Sequence, residues 1–126
     1  MVVLLFTTVT PTAVPHPLSE PLAELIAERF RVLADPTRIR LLDRLRDGAA
    51  TVGELREAAG GSQQNVSKHL AVLLHAGLVT RTREGNHARY AIADAEVFAL
   101  CERACGGIRE RLAALERLFE EEEVPA

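Results

Sequence analysis

The chain of 126 residues has no tryptophan, one tyrosine, one methionine and two cysteines, and aromatic residues make up only 4% of it. So few aromatics leave the core to be built from aliphatic side chains. Two thiols cannot supply the multi-bridge framework of a small secreted domain. No apolar run approaches the roughly 20 residues of a membrane-spanning helix, and the start, MVVLLFTTVTPTAVPHPL, lacks the basic n-region of a signal peptide. There is no Gly-rich phosphate loop, and no histidine adjoins a cysteine, which leaves little for an NTPase or a thiol enzyme to work with. The expectation is a non-enzymatic, cytoplasmic protein without a membrane partner. Lysine is nearly missing as well: Lys68 is the only one among fifteen basic residues.

Hydrophobic residues at 48% and charged residues at 26% describe one globular domain with a modest core. A net charge of −3 would argue against a nucleic-acid partner if it were evenly spread, and it is not. Residues 62–92 carry Lys68, Arg81, Arg83 and Arg89 against Glu84 alone, whereas 116–123 carry five glutamates against Arg117.

The basic region contains the most informative segment, TVGELREAAGGSQQNVSKHLAVLLHAGLVT at 51–80. Thr51 and Glu54 have capping-box spacing, Gly60-Gly61 fit a turn, Ser62 is an N-cap for a second helix, and Gly77 marks its end. At about 100° per residue, Val66, Leu70, Leu73 and Leu74 fall on one side of that helix and Gln63, Gln64, Ser67, Lys68 and Ala71 on the other. An amide can pair bidentately with adenine in the major groove, and a lysine can reach guanine or phosphate. This is the pattern of a DNA-reading helix-turn-helix, although an ordinary solvated surface helix has the same composition. Next come LVTRTR, a Gly-Asn turn signal in Glu84-Gly85-Asn86, and HARYAI, which together predict a β-hairpin wing whose arginines can grip phosphate. The candidate DNA contacts are Ser62, Gln63, Gln64, Asn65, Ser67, Lys68 and His69 on the helix, with Arg81, Arg83, His87 and Arg89 on the wing.

Ahead of this segment, Ser19 caps a predicted helix through Leu22, Leu25, Ile26, Phe30 and Leu33. Asp35-Pro36 starts another, with Ile39, Leu42 and Leu45 facing inward and Arg38, Arg40, Arg44 and Arg46 largely outward. After the hairpin, Asp94 opens a final helix with Val97, Cys101, Ala104, Ile108, Leu112, Leu115 and Phe119 at spacings of three and four. Such a stripe outruns what a small domain can cover, so burial against a second copy is expected, with Leu22 and Ile26 joining the interface. Gly106 and Gly107 break the helical propensity of the stripe and point to a close approach or a bend. The expected fold is mainly α with a small β-hairpin, a winged helix-turn-helix in the order α-α-α-α-β-β-α, dimeric through its terminal helices. Residues 1–18 form an N-terminal arm, 19–120 the domain and 121–126 an acidic tail.

LADPTRIRLLDRL at 33–45, the segment at 51–85 with Val-Ser-Lys-His-Leu at 66–70 and Ala-Gly-Leu-Val at 76–79, and the closing helix together resemble the ArsR/SmtB family of bacterial winged-helix repressors. The likeness covers 20–119. It implies a homodimer on an inverted-repeat operator in double-stranded DNA, released by an inducer that is often a metal or metalloid ion. Two family sites are incomplete. The stretch 51–59, TVGELREAA, lacks the cysteine motif of metalloid sensors, and Asp94 is followed by Glu96, Gly107 and Glu110 where the zinc-type site has histidines, which puts zinc, nickel or cobalt sensing in doubt. Cys101 and Cys105, one helical turn apart, are the candidate inducer site, as soft-metal or metalloid ligands or as a thiol switch. They equally fit two small packed hydrophobes. His16 could complete such a site. Two other readings stay open: a winged-helix module that binds protein, and a regulator with no small-molecule inducer.

Overall fold

A computed structural model describes residues 13–123, so most of the N-terminal arm lies outside the described residues. Helix α1 (Glu20–Leu33) is capped by Ser19, whose Oγ accepts from the Leu22 amide at 3.3 Å. It buries no residue fully; Val32 and Leu33 lean on the core. Helix α2 (Pro36–Leu45) starts at Asp35, whose Oδ1 accepts from the Arg38 amide at 3.1 Å. Leu41, Leu42 and Leu45 are buried, while Ile39 is 44% exposed, which corrects its expected inward position. At about 100° per residue the three leucines share one sector of α2 and Ile39 lies outside it.

Strand β1 (Ala50–Thr51) runs directly into α3 (Val52–Ala59), and Thr51 and Glu54 make both hydrogen bonds of the capping box. Gly60 and Gly61 turn the chain at φ +80° and +84°, left-handed geometry that favours glycine. Helix α4 (Gln63–His75) follows its Ser62 cap and buries Val66, Leu70 and Leu73. It closes in a Schellman motif: Gly77, at φ +78°, donates to the Leu74 carbonyl and Leu78 to the Leu73 carbonyl, each at 3.0 Å.

Strands β2 (Val79–Glu84) and β3 (His87–Ile92) form the wing, paired antiparallel with Glu84 opposite His87. Gly85 at φ +61° followed by Asn86 at negative φ is the arrangement of a type II′ hairpin. The two-residue β1 adds a third strand that the sequence does not announce. It sets Ala50 opposite Tyr90 and Thr51 opposite Arg89, giving the sheet order β1-β3-β2. The core consists of the α2, α3 and α4 leucines and Val66, closed by Ala50, Leu78, Val79, Tyr90 and Val97.

Helix α5 (Glu96–Glu123) is continuous over 28 residues, a length of about 42 Å at 1.5 Å per residue. It passes through Gly106-Gly107 without a break and through the expected tail boundary at 120. Val97, expected in the intersubunit stripe, is 5% exposed within its own protomer and belongs to the core. Beyond it, Ile108, Leu112, Leu118 and Phe119 are each more than half exposed.

Candidate nucleic-acid interface

Burial of Val66, Leu70 and Leu73 dictates what α4 shows to solvent. Gln63, Gln64, Asn65, Ser67, Lys68 and Ala71 are all exposed, so the amides and the only lysine stand on one accessible face. Ser62 is exposed as well, and its hydroxyl caps the helix by accepting from the Asn65 amide at 3.1 Å, which leaves its O–H free to donate. His69 is set differently from its neighbours. It is half-buried, and its Nδ1 lies 3.0 Å from Arg38 Nη1. A guanidinium only donates, so Nδ1 is the acceptor in this contact.

Arg38 is thus no outward-facing arginine of α2. Its Nε donates to the Val32 carbonyl at 2.6 Å and its Nη2 to the Arg31 carbonyl at 3.3 Å, which ties the end of α1 and the middle of α4 to α2. The Arg38 amide bond also holds the Asp35 carboxyl below its ordinary value. The hydrogen bonds from Thr51, backbone first and then hydroxyl, do the same for Glu54. Both caps therefore lock helices that position α4.

The wing divides its basic residues between two faces. Arg81 and Arg83 stand opposite Tyr90 and Ala88, and side chains alternate along a strand, so His87 and Arg89 occupy the other face with Thr82 and Glu84. Arg81, Arg83 and His87 are exposed. Arg89 is half-buried, donating from Nε to Glu84 Oε1 at 3.1 Å and from Nη1 to the Ala49 carbonyl at 3.2 Å, which fastens the wing to the β1 segment. Among the described residues Arg81 and Arg83 make no ion pair. Between the wing, the start of α3 and the reading helix lies a cleft of ≈ 340 Å³, lined by Thr51, Val52 and Gly53, by Gln63, and by Asn86, His87 and Ala88. Asn86 thus joins the candidate surface, unmarked in the sequence except as a turn residue.

Cys101 is half-buried and Cys105 exposed, and both thiols are free. Cys101, expected in the intersubunit stripe, lies against its own protomer. It borders a ≈ 190 Å³ hollow against α2, with Ile39, Leu42, Arg46 and Phe98, where the Arg46 guanidinium stacks 4.8 Å from the Phe98 ring centre. One helical turn after Val97 it shares the flank of α5 that faces its own protomer. Asp94 pairs with Arg29 at 2.9 Å and accepts from the Glu96 amide at 3.0 Å. Among the described residues no three His, Cys, Asp or Glu side chains converge as metal ligands. None of the described helices is long and apolar enough to cross a membrane.

Residues 33–82 match a family model described as a helix-turn-helix domain. The HTH-type transcriptional regulator CmtR of Mycobacterium tuberculosis is 46% identical over 72 residues, 57% of this chain and 61% of that protein, so the chain spans less than two thirds of its length. A second regulator of M. tuberculosis, the uncharacterised HTH-type Rv0081, is 41% identical over 105 residues, covering 79% of this chain and 92% of the relative. Its crystal structure superposes with a TM-score of 0.69 at 39% identity, over 76% of this chain and 97% of the other. The solution structure of Mb0332 from Mycobacterium bovis, described as a homodimeric winged helix-turn-helix DNA-binding domain and a possible ArsR-family regulator, gives 0.61 at 31% identity over 77% and 95%.

Proposed function

The chain belongs to the ArsR/SmtB family of winged helix-turn-helix transcriptional regulators, and we propose that it acts in the cytoplasm as a homodimeric repressor of an inverted-repeat operator. The observation that carries this reading is the exposed face of α4, where Gln63, Gln64, Ser67 and Lys68 stand clear of the core beside a wing bearing Arg81 and Arg83. In this reading the amides and Lys68 reach base edges, while the two arginines hold phosphate. His69 and Arg89 orient α4 and the wing through Arg38 and Ala49 rather than touching DNA. The homodimeric form of Mb0332 supports the pairing, and the exposed apolar residues of α5 supply the surface for it.

Selection from a random duplex pool, followed by anisotropy titration over a range of salt concentrations, tests this. Enriched sites should show dyad symmetry, with half-sites about one DNA turn (~34 Å) or a multiple of it apart. Affinity should fall steeply with salt. Gln63→Ala with Gln64→Ala should cost about 1–3 kcal/mol of base preference per lost bidentate contact, whereas Arg83→Ala should weaken all sequences alike and lower the salt slope by about one. Salt-insensitive association with protein and no selected DNA would favour the protein-binding reading instead.

The inducer reading places a soft ion or a thiol-reactive agent at Cys101 and Cys105, whose i, i+4 spacing puts both thiols on one helix flank, with a second protomer raising the ligand count. Cadmium, arsenite and polysulfide are the probes. If every agent that releases the wild type from DNA also releases a Cys101→Ser, Cys105→Ser variant, the thiols only pack.

A further inference from the structure

A second surface of the molecule, separate from the thiols, has the chemistry of a ligand site. Residues 25, 28, 29 and 32 recur at i, i+3, i+4 and i+7 and so share one face of α1. Together with the last turns of α4, that face encloses a groove of ≈ 470 Å³, within the range of small-molecule sites. Its walls are apolar, formed by Leu25 and Val32 from one helix and Ala71 and Val72 from the other.

The charged groups at this apolar surface are each held in an ion pair. Glu28 is already paired with Arg31 on α1. Arg29 and His75 are the basic groups at the groove. The Arg29 guanidinium is held in place, donating from Nη1 to the Ala76 carbonyl at 2.7 Å and from Nη2 to Asp94 Oδ2 at 2.9 Å. Those two contacts leave part of a five-donor fork for another acceptor. Arg29 also separates this groove from the hollow beside Ile26, Phe30 and Leu100, the side that continues into the exposed α5 stripe.

We propose that the groove between α1 and α4 binds a hydrophobic carboxylate, with its chain along Leu25, Val32, Ala71 and Val72 and its carboxylate on Arg29. A charge-assisted contact to a fixed guanidinium selects an anion, and the apolar walls select a chain over a sugar or an amino acid. The effect on DNA rests on the regulator reading above. Ala71 belongs both to the groove and to the exposed face of α4, so the chain of the bound ligand packs against the DNA-facing helix. The carboxylate also competes at Arg29, the side chain that ties the end of α4 to the start of α5. Operator affinity should drop about fivefold or more.

The test uses the full-length protein with decanoate, and 1-decanol as the uncharged control, followed by two-dimensional amide NMR without DNA. Decanoate should shift the Leu25, Val32, Ala71, Val72 and Ala76 amides and bind at least tenfold more tightly than decanol. Arg29→Met should erase that preference and Arg29→Lys should retain part of it, with the spectra themselves reporting whether each variant is folded. Equal binding of acid and alcohol, shifts confined to the α5 stripe, or no shifts because a partner protomer already fills the groove would each overturn the site. Anisotropy on selected DNA then separates the two readings. A protein that binds decanoate but never DNA defeats the regulator reading and leaves the site standing, whereas operator binding unmoved by saturating decanoate defeats the coupling.

Discussion

Helices α4 and α5 carry similar apolar periodicity and meet opposite fates. Over 13 residues α4 buries Val66, Leu70 and Leu73 against its own protomer and leaves only polar or small side chains on its reading face. Among the described residues of the 28-residue α5 Val97 alone is buried, and Ile108, Leu112 and Phe119 are 61%, 55% and 69% exposed. The difference lies in what stands opposite each stripe. The stripe on α4 faces α2, α3 and the sheet; the stripe on α5 projects past them. Apolar periodicity locates a buried face but does not say which molecule buries it.

The largest effect that would break this contrast comes from the core of α4. Leu70→Ala should cost about 2–5 kcal/mol in urea-induced unfolding, because Leu70 has no exposure and its neighbours cannot collapse fully into the space left behind. Leu112→Asp should separate the helices in a different way. Dimerisation monitored by sedimentation should weaken about a hundredfold, or ~2.7 kcal/mol, while the head keeps its native amide spectrum. If the protein is already a monomer at micromolar concentration, or if Leu112→Asp unfolds the head as Leu70→Ala does, the contrast fails.

Smaller effects sharpen it on the side of the head. Thr51→Ala removes the hydroxyl half of the capping box at α3 and should cost about 1 kcal/mol, read as a lower urea midpoint with an unchanged slope. The smallest effect is acid sensitivity. Asp35 and Glu54 both titrate below their ordinary values of 3.8 and 4.5 in the folded chain. The unfolded chain thus binds protons first as pH falls, and stability from these caps is full above those values and lost as pH drops through the depressed ones. Asp35→Asn should flatten part of that decline, and an unchanged acid limb would remove Asp35 from this role.

The elements legible in the sequence are those with local signals. Ser19, Thr51 and Ser62 each satisfy an amide three residues ahead, and the Gly60-Gly61 and Gly85-Asn86 turns need only their own backbone freedom. What escaped depends on residues far apart in the chain. Arg29 meets Ala76 and Asp94 across 47 and 65 positions, and Arg38 meets His69 across 31. Nothing near either arginine distinguishes it from Arg40 or Arg44, which composition alone would place in solvent. Strand β1 escaped for a similar reason, since two residues carry no alternation. On the candidate interface, the polar face of α4 was readable from helical geometry. That His69 turns away from it, and that the wing's cations divide between two faces, required the fold.

The brief strand at Ala50–Thr51 has a mechanical consequence. Thr51 is at once the last residue of β1 and the N-cap of α3, and Arg89, its partner across the sheet, is latched to Ala49. The wing is therefore tethered to the first helix of the reading unit. A rearrangement that moves α3 pulls on the wing through this tether. The connector 93–95 is fastened to the same unit, with the Ala93 amide donating to the Leu78 carbonyl at 2.9 Å and Asp94 paired with Arg29, so a shift of the long closing helix is passed straight to the reading head.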